Sequence, residues 1–331
     1  MRRQTVAYPS MTHLRNKKGH TMYQQNALAT IDTEPTTQSF AAVALTVSAL
    51  KTEHTAEALQ FLAARPIHTV AMVGFINDNG INSPLNRGTF YGCRNQSGEL
   101  EGVALIGHAV LMETRTTRAV QAFANIAQSI SGCHMIMGEQ QQVEEFWDCY
   151  AKRGQDFRLA CRELLFELRW PAEVQGEMPG LRRATLEDLN LVMPVQAELA
   201  TQESGVNPME NDPKGFEGRC RRRIEQGRTW VLVKDSQLSF KAEVVSDTAE
   251  LAYLEGIWVN PSMRGKNHGV RCLSDVCYRL LRDKTAVCLL VNVENDAAQS
   301  VYKRAGFRLQ STYDTIFLSQ KIRFDDLSIV Q

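Results

Sequence analysis

The stretch Leu254-Glu-Gly-Ile-Trp-Val-Asn-Pro-Ser-Met-Arg-Gly-Lys-Asn-His-Gly269 changes character half-way along. It opens as an apolar run of strand type and is stopped at Pro261. Arg264, Gly265 and Lys266 then lead to Gly269, after which Val270, Leu273, Cys277, Leu280 and Leu281 recur at helical spacing. A helix start presents unpaired N–H groups and the positive end of its dipole, and glycine lets a backbone approach an anion closely. Strand, short glycine-containing loop and helix therefore predict a phosphate-binding turn, with Arg264 and Lys266 adding positive charge. Gly256, inside the apolar run, signals a bulge.

The elements around this stretch form a regular series. A short strand opens near Leu181, followed by helices over 188–200 and 213–226 and by strands over 229–234, 239–245 and 249–259. After the loop come a helix over 269–282, a strand over 285–293, a helix over 297–305 and a closing strand over 311–318. Hairpins followed by a strand-helix-strand unit imply an α+β fold, a mixed α/β sheet with helices on both faces.

The first half carries a related pattern. Tyr150-Ala-Lys-Arg-Gly154 matches Tyr302-Lys-Arg-Ala-Gly306 at an offset of 152 positions. The same gapless offset places Gly102–His108 on Leu254–Asn260, and His134–Gly138 on Ala286–Leu290. Two copies of one fold are therefore expected. Under this offset Arg264 falls on Met112, Gly269 on Thr117, Glu255 on Val103 and Asn295 on Val143, and 111–118 holds no glycine. The first copy is read as degenerate: a packing partner, with Asn79, Asn86 and Arg87 as candidates for a wall of the acceptor site. The domain reading is an extension over 1–38, a degenerate domain over 39–169, a Pro/Gly-rich linker over 170–180, the second domain over 181–318 and a tail over 319–331.

Composition narrows the classes of function. Lys plus Arg and Asp plus Glu each number 37, which argues against a dedicated nucleic-acid binder. The eight cysteines form no CxxC pair and no zinc spacing with histidine, so no metal is expected and free thiols in a reducing, cytoplasmic setting are the simplest reading. The apolar run over 40–50 is too short to span a bilayer.

The quoted stretch resembles the acetyl-CoA signature of the GNAT superfamily of N-acetyltransferases, Arg/Gln-x-x-Gly-x-Gly/Ala. Arg264 and Gly269 match it, and Asn267 replaces the middle glycine. Leu290-Val-Asn-Val-Glu-Asn-Asp-Ala-Ala-Gln-Ser-Val-Tyr-Lys-Arg-Ala-Gly-Phe307 resembles the following strand and helix of that family, which end in Tyr-x-x-x-Gly-Phe. The likeness covers about residues 180–318, and the whole chain resembles bacterial two-domain GNAT proteins with a degenerate first domain.

The resemblance implies tandem GNAT-like folds and an acetyl-CoA-dependent N-acetyltransferase, which moves an acyl group to a small-molecule or protein amine by direct attack in a ternary complex. Backbone groups of Ile257 and Val259 would pair with the pantetheine arm. Arg264, Gly265, Lys266, Asn267, His268 and Gly269 would hold the pyrophosphate, and Asn295 would touch the cofactor. Tyr302 stands at the family's general-acid position, with a core tyrosine as the plain alternative. Glu255, a carboxylate on an apolar strand, is the candidate base, against an outward or salt-bridged glutamate. Glu203, Asn207 and Asn292 are weaker acceptor contacts, and solvated loop residues are the alternative. The five arginines at 219, 221, 222, 223 and 228 read as a solvated helix face. Competing readings are a non-catalytic acyl-CoA sensor and an aminoacyl-tRNA-dependent transferase. The second half needs no membrane or nucleic-acid partner, and a homodimer is compatible with it.

Overall fold

The structure is a computed structural model that describes residues 13–15, 21–23, 45–170 and 177–319. The expected extension and the tail lie almost wholly outside the described residues, apart from the strand pair His13–Arg15 and Thr21–Tyr23. No described helix is long and apolar enough to cross a membrane.

The first half runs through strand β1 (Thr46–Ala49), helices α1 (Thr55–Leu62) and α2 (Pro66–Asn79), and strands β2 (Gly88–Arg94), β3 (Leu100–Gly107) and β4 (Ala109–Thr114). Helix α3 (Thr117–Ala127), β5 (Met135–Glu139), α4 (Gln140–Tyr150) and β6 (Phe157–Leu168) follow. The second half repeats the order. Its elements are β7 (Arg182–Arg183), α5 (Leu189–Ser204), α6 (Pro208–Asn211), α7 (Pro213–Glu225), β8 (Thr229–Lys234), β9 (Gln237–Asp247) and β10 (Leu251–Val259). They close with α8 (His268–Leu280), β11 (Ala286–Asn292), α9 (Asp296–Ala305) and β12 (Arg308–Leu318).

All twelve strands join one sheet in the order β1-β2-β3-β4-β5-β12-β6-β11-β10-β9-β8-β7. The closing strands are exchanged. Strand β12 of the second half pairs with β5 of the first, and β6 of the first half pairs with β11 of the second. Strands β6 and β12 also pair with each other, and Arg162 faces Asp314 across them at the 152-residue spacing of the repeat. That residue pair therefore marks a local two-fold axis. It is closed by two parallel bonds, Arg162 Nε and Nη2 to the Asp314 carboxylate, at 2.9 and 3.0 Å.

Element order corrects the gapless alignment. Strand β3, with Gly102–Gly107, is the counterpart of β9; the counterpart of β10 is β4. The first half passes from β4 to α3 through Arg115 and Thr116 alone, whereas Asn260–Asn267 separate β10 from α8. An alignment without gaps slips by a strand across that difference, although Tyr150 and Tyr302 both lie in the helix before the exchanged strand. The expected linker is likewise packed at its end: the Met178 N–H donates to Asp275 at 2.7 Å, and Met178 and Leu181 are buried in the second core. Asp275 is held in turn by Arg279 one helical turn on.

Candidate active site

Strands β10 and β11 run parallel and pair from Leu251 to Leu254 against Ala286 to Leu289. Both strands continue beyond that point, but the pairing stops, which opens a V in the sheet. The cause is local. Between Trp258 and Glu255, strand β10 holds one residue more than the facing segment of β9, and Gly256 sits at φ +58°. This is the bulge expected at Gly256. A Cβ on Gly256 would stand 2.8 Å from both Gln196 Oε1 and Lys241 Nζ, so only glycine fits.

Lys241 fastens the bulge from behind. It is fully buried, and its ammonium donates to Gln196 Oε1 at 2.5 Å and to the Gly256 carbonyl at 3.2 Å and pairs with Glu243 at 3.2 Å. The Asn260 N–H donates to Ser239 of β9, so by strand alternation the polar groups of Val259 and Ile257 face away from β9, toward the V. The carbonyl of Val259 accepts from Arg264 Nε at 3.0 Å, which folds the loop back on the strand.

Arg264, Gly265, Lys266 and Asn267 are exposed ahead of α8. Asn267 takes the left-handed conformation at φ 59°, as the glycine it replaces would, and starts the helix. A Cβ on Gly269 would meet Val259 Cγ2 at 2.9 Å, so this glycine lets the helix start lie against the V. Exposed backbone amides, two basic side chains and an opened strand edge thus converge on one track.

The first half builds a similar parting and fills it. Strands β4 and β5 pair only at Ala109–Val110 and Met135–Ile136. Beyond, Arg65 pairs with Glu113 of β4 at 3.4 Å and with Glu139 of β5 at 2.6 Å. The cavity left beside Met112, Met137, His68 and Tyr313 is about 30 Å³, room for a water or two.

Residues 199–307 match the Acetyltransferase (GNAT) family. The second half of the chain carries a GNAT domain. No curated protein matches the chain. A Drosophila protein of known structure is 12% identical, covers 83% of this chain and 98% of its own, and superposes with a TM-score of 0.61. A tandem GNAT protein from the clavulanic acid biosynthesis pathway is 15% identical, with 82% and 98% covered and a TM-score of 0.52. An acetyltransferase of the GNAT family from Colwellia psychrerythraea is 13% identical, with 83% and 100% covered and a TM-score of 0.51. These likenesses carry the fold.

At the mouth of the V three carboxylates gather, Glu203 and Glu255 from the GNAT domain and Glu163 from β6 of the first half. Glu255 is exposed by area yet hemmed in by protein, as at the floor of an open cleft. Access decides whether a substrate reaches it, whereas the surrounding protein sets its proton affinity. Burial raises its carboxyl, opposed by a hydrogen bond from Tyr253 and by the charge of Arg223. Glu203, near the end of α5, is likewise exposed by area yet hemmed in by protein, and is pushed up to about 8 by desolvation and then by the charges of Glu255 and Glu163. Glu163, on β6, is raised to about 7 by burial, against a hydrogen bond from Thr315 Oγ1 at 2.5 Å. Tyr302 is 7% exposed, its ring against Phe166 and Phe307, with its phenol raised by burial and by the charge of Glu203. It keeps its proton at neutral pH.

The remaining sequence candidates have other engagements. The His268 ring is buried against Cys272 at 3.7 Å, so only its backbone faces the loop. The Asn295 side chain caps α9 by accepting from the Ala298 N–H at 3.0 Å. The Asn292 side chain accepts from the Glu294 N–H at 2.8 Å. Asn207 caps α6 and donates to Glu210, pointing neither group at the cleft. Asn79 bonds Asn86 within its own turn, and Arg87 bonds His108 in the turn between β3 and β4. Arg221 pairs with Glu217 as a solvated face should, but Arg228 binds Asp78 of the first half at 2.7 Å. Glu163 went unmarked in the sequence because its strand belongs to the first half. Its signal was faint, because Phe157–Leu168 holds two glutamates and two arginines among its apolar residues.

Proposed function

We propose that the protein is an acetyl-CoA-dependent N-acetyltransferase acting through its GNAT domain on an amine acceptor, by direct attack in a ternary complex. The parting of β10 and β11 at the Gly256 bulge, directly ahead of the α8 N-terminus, carries this reading. Amides of Gly265–Gly269 and the side chains of Arg264 and Lys266 suit a pyrophosphate, and the turned-out backbone of Ile257 and Val259 suits a pantetheine amide. Bound there, the thioester supplies an activated acyl group. Glu255 takes a proton from the acceptor ammonium, directly or through water, and its raised carboxyl makes it a stronger base than an ordinary glutamate. The amine nitrogen would then bond the acyl carbon as the C–S bond breaks, Tyr302 would protonate the departing thiolate, and the proton shed by the new amide nitrogen would restore the phenol. Positioning and backbone N–H groups on β10 supply most of the rate. The first half, with Arg65 across its parting and a two-residue loop before α3, takes no cofactor in this reading.

Thermal unfolding with and without acetyl-CoA tests the proposal. The midpoint rises with acetyl-CoA in the native chain and not in Gly269→Glu, whose carboxylate would enter the anion track. No rise with acetyl-CoA or longer acyl-CoAs overturns it.

A further inference from the structure

We propose that the first half of the chain completes the acceptor pocket through Glu163, and that Glu163 and Glu203 together select a small amine carrying a second positive charge. The inference rests on the transferase reading above and deepens it. Strand exchange is what brings Glu163 to the cleft: on β6 it stands directly beside Asn292, where β11 has already left β10. Cross-strand partners share a sheet face, so Glu163 lies on the face of Asn292. On β11 that face alternates to Cys288, which partners Tyr253 of β10, and Glu255 follows Tyr253 two residues on. Glu163 and Glu255 therefore share a face, and Glu203 comes over it from α5. Three carboxylates within one another's field are costly to a fold and gain from a cation placed among them.

A second observation points to a ligand beside Glu203. Tyr302 is more than nine-tenths buried, its hydroxyl has no hydrogen-bond partner among the described residues, and it lies in the field of Glu203. A phenol left open at that depth awaits a group supplied from outside. Near Tyr302 and Glu255 the acceptor amine reacts. The second ammonium then falls to Glu163, whose Oε2 is oriented by Thr315, and to Glu203. A monoamine leaves that pair unanswered.

The pairing has a pH signature. Glu163 faces Glu255, Asp314, Thr315 and Cys161, and Glu203 faces Glu255, Glu163, Lys241, Cys161 and Tyr302. Their raised carboxyls, about 7 and about 8, ionise as pH rises, so dication affinity grows with pH through that range.

The test follows thiol release from acetyl-CoA with diaminobutane and diaminohexane against butylamine and hexylamine. The diamines show the lower KM. Glu163→Gln raises the diamine KM about tenfold to a hundredfold, the usual loss with one charge-assisted bond, and raises it more than it raises the monoamine KM. Glu203→Gln does the same, which guards against a folding defect in one variant. Titration calorimetry of diaminobutane into CoA-saturated protein gives tighter binding at about pH 8 than at about pH 6, and a flat profile in the double variant. Equal KM values for diamines and monoamines, or a KM change of equal size in both, overturn the inference and leave the transferase intact. So does a thermal shift with acetyl-CoA but no turnover of any of these amines. Absence of that shift removes the transferase reading and the inference with it.

Discussion

A fully buried ammonium needs partners, and Lys241 donates to Gln196 and to the carbonyl of Gly256 and pairs by charge with Glu243 at 3.2 Å. Replacing it by alanine leaves Glu243 buried beside its cross-strand partner Glu255 without the ammonium it pairs with. Lys241→Ala should cost about 3–5 kcal/mol in urea unfolding, the range for a broken buried pair. Glu203 behaves in the opposite way. Its folded carboxyl sits at about 8, far above an unfolded glutamate near 4.3, so the folded state holds the proton more tightly. Stability is therefore lost as pH rises from the unfolded value through the folded one. Glu203→Gln removes that loss, so its midpoint should exceed the native one at about pH 9 and equal it at about pH 4 in paired thermal melts.

At the scale of elements, β10 and α8 explain what was legible in the sequence. Pro261, the glycines and the helical spacing from Val270 are local signals, and the strand, loop and helix lie where those signals put them. The bulge at Gly256 was legible for the same reason, because a glycine in an apolar strand has few other uses. Gly256→Ala should cost about 1–3 kcal/mol by thermal or urea unfolding, from its φ of +58° and its contacts with Gln196 and Lys241, and should weaken the acetyl-CoA shift with it. Strand partners were not legible. Segments such as Phe157–Leu168 and Arg308–Leu318 mix apolar with charged and polar residues, and nothing in either names its neighbour in the sheet. Glu163 was missed with them, because only the exchange carries it into the second half's cleft. The capping roles of Asn207 and Asn295 compete with ligand contact on equal residue chemistry, and only the hydrogen bonds decide between the two.

At the scale of the molecule, twelve strands in one sheet with exchanged closing strands leave neither half a complete core of its own. Phe166 and Leu168 of β6 lie in the core of the second half, and Ile316 and Leu318 of β12 in the core of the first. Scanning calorimetry should therefore show one transition, with van't Hoff and calorimetric enthalpies equal, and two resolved transitions would contradict the shared sheet. Breaking the axial pair with Arg162→Ala should lower that single midpoint without splitting it. The exchange also sets a timetable for biosynthesis. Strand β5 waits for a partner that the ribosome reaches only at Arg308–Leu318, roughly 10–30 s after Leu168 at ordinary elongation rates. Through that interval the nascent first half carries an unsatisfied strand edge and an open apolar face, so this chain has a standing need for a chaperone at the exit tunnel that a protein of two self-contained halves would not share.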